Sequence, residues 1–131
     1  MISVDSSVLV RYLVGEPAEQ ARRAQAIIEG DQPVAIPVVV LLETAHVLRT
    51  QYGVERRDVL DTLLELVTRA GVEILGVNRG LVIEALVRAR ELPGSPLPDA
   101  LVAATVRDAG AVPLFTFDRD LARHGVLVQE P

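Results

Sequence analysis

The sequence predicts an α/β fold, a three-layer α/β/α sandwich around a central, mostly parallel sheet of about five strands. Three observations lead there. Short apolar stretches suited to strands alternate with longer stretches of helical spacing along the whole chain, and such alternation builds parallel sheets joined by right-handed crossovers. Half of the residues are apolar, only 3% are aromatic, and Val, Leu, Ala and Ile dominate, a composition that suits strands covered on both faces by helices. Glycine or proline marks most of the points where one stretch gives way to the next. With no internal repeat, low-complexity tract or linker, the 131 residues are expected to form one domain over 1–131.

Ile2 to Val4 reads as a first buried strand, after which Asp5-Ser6-Ser7 supplies capping side chains for a helix through Val8-Leu9-Val10 and Tyr12-Leu13-Val14. Gly15 ends it. Pro17 to Glu29, opened by proline and closed by Gly30, is a charged, Ala-rich surface helix. Val34 to Ile36 is the second strand. From Pro37 to Tyr52, Val38, Leu41, Leu42, Ala45, Val47 and Leu48 keep near-helical spacing, and Gly53 stops the helix. Arg56 to Ala70 is an amphipathic helix ending at Gly71, Val72 to Leu75 is the third strand, and a helix from about Arg79 to Leu92 closes at Pro93-Gly94. Pro98 opens a helix over Asp99 to Ala109 whose Ala100, Ala103 and Ala104 permit close backbone approach. After Gly110, Val112 to Phe117 is the clearest strand of all. A short helix, Arg119 to His124, and a last strand, Val126 to Gln129, complete the alternation.

Composition removes several chemistries. There is no cysteine, so disulfides, thiolate metal sites and cysteine nucleophiles are excluded, and a metal would have to use oxygen donors or His46 and His124. All thirteen basic residues are arginine, which excludes Schiff-base and P-loop lysine chemistry. It also disfavours receiver-like and haloacid-dehalogenase-like phosphoryl sites, which need a lysine. A net charge of −5 argues against broad nonspecific adhesion to nucleic acid, though not against a phosphate bridged by a metal. No apolar run approaches the ~18 residues needed to span a bilayer, and no charged leader precedes Ile2, so a cytoplasmic protein without a membrane partner is expected.

Four acids stand out: Asp5, Glu43, Asp99 and Asp118 each lie in or beside an apolar stretch where a strand would end or a helix begin. In open parallel sheets, sites form at the carboxyl edge of the strands, the edge at which Asp5 and Asp118 are expected. Carboxylates converging there repel, by roughly 3 kcal/mol for unit charges ~5 Å apart at an effective dielectric of ~20, and a divalent cation removes that cost. Each acid also has a plainer reading. Asp5 and Asp118 could only cap helices, Asp99 could only favour a helix dipole, and Glu43 is set apart by its apolar neighbours, beside which a charge needs a partner. Ser7 and Thr116 could support the site with hydroxyls or serve as cap and strand residues. Asp120 competes with Asp118, and Arg119 could contact phosphate or simply be solvated.

Val4-Asp5-Ser6-Ser7-Val8-Leu9-Val10-Arg11-Tyr12-Leu13, Leu42-Glu43-Thr44, Leu97-Pro98-Asp99-Ala100-Leu101-Val102-Ala103-Ala104 and Leu114-Phe115-Thr116-Phe117-Asp118-Arg119-Asp120-Leu121 together resemble a PIN-domain ribonuclease, and most of all the VapC toxins of type II toxin–antitoxin pairs. The resemblance runs from end to end, in motif order, spacing and length. It implies a Mg²⁺-dependent endoribonuclease, with Mn²⁺ as substitute, whose acidic ligands are Asp5, Asp99, Asp118 and Glu43, the last directly or through water. It further implies a homodimer held inactive by a small antitoxin. Many relatives carry Asn or Asp after the fourth strand and another acid three residues on, whereas Asp118 and Asp120 are two apart here, so either could be the fourth ligand. RNA-processing PIN nucleases carry the same four acids, and an inactive RNA-binding or scaffold protein could keep the fold.

Overall fold

The computed structural model describes all residues, Met1–Pro131, and they divide into two compact units, Met1–Leu75 and Gly76–Pro131. The first contains β1 (Ile2–Ser3), α1 (Ser6–Val14), α2 (Ala18–Ile28), β2 (Val34–Pro37), α3 (Val38–Thr50), α4 (Arg56–Thr68) and β3 (Val72–Leu75). The second contains α5 (Arg79–Glu91), α6 (Leu97–Ala109), β4 (Leu114–Phe115), a 3-10 helix (Arg119–His124) and β5 (Val128–Gln129). No helix is long and apolar enough to cross a membrane.

In the first unit the strands form one parallel sheet in the order β1-β2-β3, with Ile2 opposite Val34 and Val34 opposite Val72. The central strand is apolar without interruption, and Val34, Ala35 and Ile36 are all buried, as a parallel strand covered on both faces requires. Helix α4 buries Val59, Leu60, Leu63, Leu66 and Val67, one stripe at helical spacing. Helix α3 buries Val40, Leu41, Thr44, Ala45 and Leu48 and packs on both α1 and α4.

In the second unit α5 and α6 pack on each other. Their buried faces carry Ala85 and Ala89 on one helix and Ala100, Ala103 and Ala104 on the other, so the expected close approach rests on small side chains from both partners. The 3-10 helix packs against α6 and α5, burying Leu121 and His124. β4 and β5 pair in parallel, Leu114 opposite Val128 and Phe115 opposite Gln129.

Two expectations change. The strands form a three-stranded and a two-stranded sheet, both parallel, where one sheet of about five was expected. The strand expected over Val112 to Phe117 is Leu114–Phe115 alone. Pro113 has no N–H to donate before it, its partner β5 is only two residues long, and Phe117 beyond it is 82% exposed. A run of β-forming residues becomes a strand only as far as it finds a ladder and a face to cover, and this one finds little of either.

Candidate functional site

Asp5 occupies the turn from β1 into α1 with extended backbone, φ −105 and ψ −175, the conformation of an N-cap. Its Oδ1 accepts three hydrogen bonds, from the Ser7 hydroxyl at 2.6 Å, the Ser7 amide at 3.0 Å and the Val8 amide at 3.3 Å. Two of the orphan N–H groups at the start of α1 are thereby satisfied. The Ser7 hydroxyl is the main reason the Asp5 carboxyl titrates below the ordinary aspartate range; slight burial pulls the other way, and the backbone amides of Val8, Ser7 and Asp5 itself add to the lowering. All three donors meet one oxygen, which leaves Oδ2 uncommitted on a carboxylate held ionised. Capping and any metal ligation by Asp5 would therefore use different oxygens and would not compete.

Glu43 lies in the second turn of α3, which follows β2 at the carboxyl edge of the same sheet whose strand β1 ends at Ser3, two residues before Asp5. Five residues at ~1.5 Å rise place it ~7.5 Å along that helix. Leu41 and Thr44 beside it are fully buried, but Glu43 is exposed, as is His46 one turn on. A solvated carboxylate needs neither partner nor cation, so the argument from apolar neighbours does not hold for Glu43. Its position on the helix is what remains of the case for it.

In the second unit Asp99 is half-buried in the first turn of α6, its amide donating to the Pro96 carbonyl at 3.1 Å. Asp118 was expected directly off a strand; instead Thr116 and Phe117 separate it from the end of β4. It caps the 3-10 helix, its Oδ1 accepting from the Asp120 amide at 3.0 Å. Thr116 accepts from the Asp118 amide at 2.9 Å, so its hydroxyl steadies the turn rather than the carboxylate. Asp120 is exposed in the first turn of that helix. Arg119, 86% exposed, pairs with Glu130 at 3.0 Å, an exposed contact of little energetic weight that leaves the guanidinium able to exchange partners.

The structure shows no group of three or more His, Asp or Glu side chains gathered closely enough to hold a metal ion. What it does show is the readiness of individual donors. None of Asp5, Glu43, Asp99 and Asp118 is tied to an arginine. All offer hard carboxylate oxygen, the donor that Mg²⁺ and Mn²⁺ prefer, so in donor chemistry these residues fit such an ion.

Two buried polar groups were not foreseen. Thr44 is fully buried with its hydroxyl unpartnered, and the 4%-exposed His124 has Nε2 2.6 Å from the Ser95 hydroxyl. That contact gives His124, one of two possible imidazole donors, a structural partner inside its own unit. A single His in a short polar helix carries no pattern from which Ser95, 29 residues away, could be named.

Comparison with curated proteins and with solved structures yields no match. The PIN-domain family matches residues 2–127, a stretch that takes in both units and all four acids. The chain therefore belongs to the PIN-domain family, a nuclease fold whose members typically bind divalent metal ions.

Proposed function

We propose that this chain is a metal-dependent endoribonuclease, using Mg²⁺ or Mn²⁺, that folds as one PIN-like domain and acts as the toxin of a VapBC-type pair, dimeric and restrained by a small antitoxin. The observation that carries the nuclease reading is the match over 2–127, within which all four acids stand free of arginine. The toxin reading rests on the four ordered motifs.

In this mechanism Asp5, Asp99 and Asp118 would hold one or two ions, with Glu43 binding directly or through water. When bound, the ion supplies positive charge to the scissile phosphate and acidifies water. Ser7 locks the Asp5 carboxylate in place through Oδ1, keeping Oδ2 ready as an ionised donor. Asp118 is held in the same manner by the Asp120 amide. Water attacks phosphorus in line, its O–P bond forming as the P–O3′ bond breaks, and the proton the water gives up is balanced by the one the departing 3′-oxygen takes, giving 5′-phosphate and 3′-hydroxyl ends.

Purified protein is expected to cleave RNA with Mg²⁺ or Mn²⁺ and to stop with chelator. Asp5→Asn keeps the cap acceptor and hence the fold, while cleavage falls by more than the roughly 10- to 100-fold that even an outer-shell partner of a metal costs. Unchanged cleavage in a folded Asp5→Asn protein would remove the mechanism. A short neighbouring reading frame whose product binds and silences the nuclease is the expected sign of the toxin role; its absence leaves RNA processing.

A further inference from the structure

The groove between α1 and α2 is distinct in its chemistry from the carboxylates. It has a volume of about 650 Å³, within the ~300–1,000 Å³ of ligand clefts, and Ser7, Arg11, Gln20, Arg23 and the apolar Val8 and Ile27 line it. In a chain with 18 acids and 13 arginines, the lining holds two guanidinium groups and no carboxylate. Arg11 is fixed, its Nε donating to the Gln20 side chain and its Nη1 to the Ser7 carbonyl at 3.0 Å. Arg23 is exposed and holds no carboxylate. Ser7 belongs to both places at once, lining the groove and donating its hydroxyl to Asp5 at 2.6 Å.

We infer that this groove binds the phosphodiester backbone of the RNA strand next to the phosphate that is cut, with Arg23 as the free phosphate contact and Arg11 as the fixed one. The inference rests on the nuclease reading. Planar guanidinium groups match phosphate oxygens in a two-pronged manner, and the apolar lining accommodates sugar between them. An RNA strand is favoured over an acidic peptide because the groove adjoins Asp5 through Ser7, where the substrate of a nuclease has to arrive.

The test is binding of a short, unstructured fluorescent RNA in chelator, so that the strand stays intact, measured across a range of salt. On a single strand, each phosphate that the protein no longer neutralises reduces the slope of log K against log salt by about 0.7. Arg23→Gln is expected to reduce the slope by that amount and to raise KM with kcat little changed. Arg57→Gln, which removes the same charge from the exposed start of α4, is expected to leave both alone. If RNA is cleaved with Mn²⁺ but Arg23→Gln behaves like Arg57→Gln, the groove inference falls and the nuclease reading stands. If Arg23→Gln weakens binding of a polyglutamate peptide and not of RNA, the groove takes an acidic peptide and the inference falls. If the wild-type chain neither binds nor cuts RNA, the inference falls together with the reading beneath it.

Discussion

A carboxylate that both caps a helix and serves a cation would have to divide its oxygens, and Asp5 takes all three of its cap donors on Oδ1. Its lowered pKa is the thermodynamic trace of that arrangement, with the Ser7 hydroxyl as the largest cause. A depressed folded-state value means that Asp5 adds stability above its unfolded value, ~3.9, and that this contribution is lost as pH falls through the lowered folded value. Carbon NMR of the Asp5 carboxyl in metal-free protein is expected to give a midpoint below that of ordinary aspartate, and Ser7→Ala to move it up. An unmoved midpoint would mean that the hydroxyl does not hold the charge. Thr44 presents the opposite case, a hydroxyl at 0% exposure with no partner. Thr44→Val keeps the shape and removes the unsatisfied group, so urea denaturation is expected to show a gain on the order of 1 kcal/mol. A loss would show that the hydroxyl is bonded after all.

The helix ends at Gly15, Gly110 and Gly125 were the most legible points, because the chain turns left-handed there and glycine does so without strain. Gly110 and Gly125 both end helices, at φ +67 and +77, but their surroundings differ. A Cβ at Gly110 meets nothing within 4 Å, whereas one at Gly125 runs into the Arg88 guanidinium, which is itself held by Glu84 at 3.2 Å. Gly110→Ala is expected to cost only the backbone penalty, about 1–2 kcal/mol, and Gly125→Ala to cost more by dislodging Arg88 from Glu84. Equal losses of thermal stability would show that the guanidinium moves aside freely. Strands were less legible than helix ends, as the shortened β4 shows: propensity over Val112 to Phe117 speaks of side chains, while a strand also needs a partner's backbone. The α1/α2 groove could not be read at all, since Arg11, Gln20 and Arg23 belong to two helices and become neighbours only when these pack.

At the scale of the molecule, the order of elements and the parallel pairing were legible because each follows from chain-local pattern, and Asp5 was legible for the same reason, being fixed by the strand before it and the cap after it. A shared ion is a different kind of claim, since Asp5 and Glu43 belong to Met1–Leu75 while Asp99 and Asp118 belong to Gly76–Pro131. Sequence spacing says nothing about distance between residues so far apart in the chain. Linkage turns the claim into a measurement, because an ion that binds only the folded protein stabilises whatever supplies its ligands, by about 2.7 kcal/mol at 100 times its dissociation constant. Four acids acting on one ion therefore require Mn²⁺ to slow hydrogen exchange in both units, and Asp118→Asn to abolish the effect in α1 as well as in the 3-10 helix. Protection confined to Met1–Leu75 and indifferent to Asp118→Asn would leave the ion with Asp5 and Glu43 and remove Asp99 and Asp118 from the ligand set. Protection that follows Asp120→Asn in place of Asp118→Asn would transfer the fourth position to Asp120, whose amide already meets the Asp118 carboxylate at 3.0 Å.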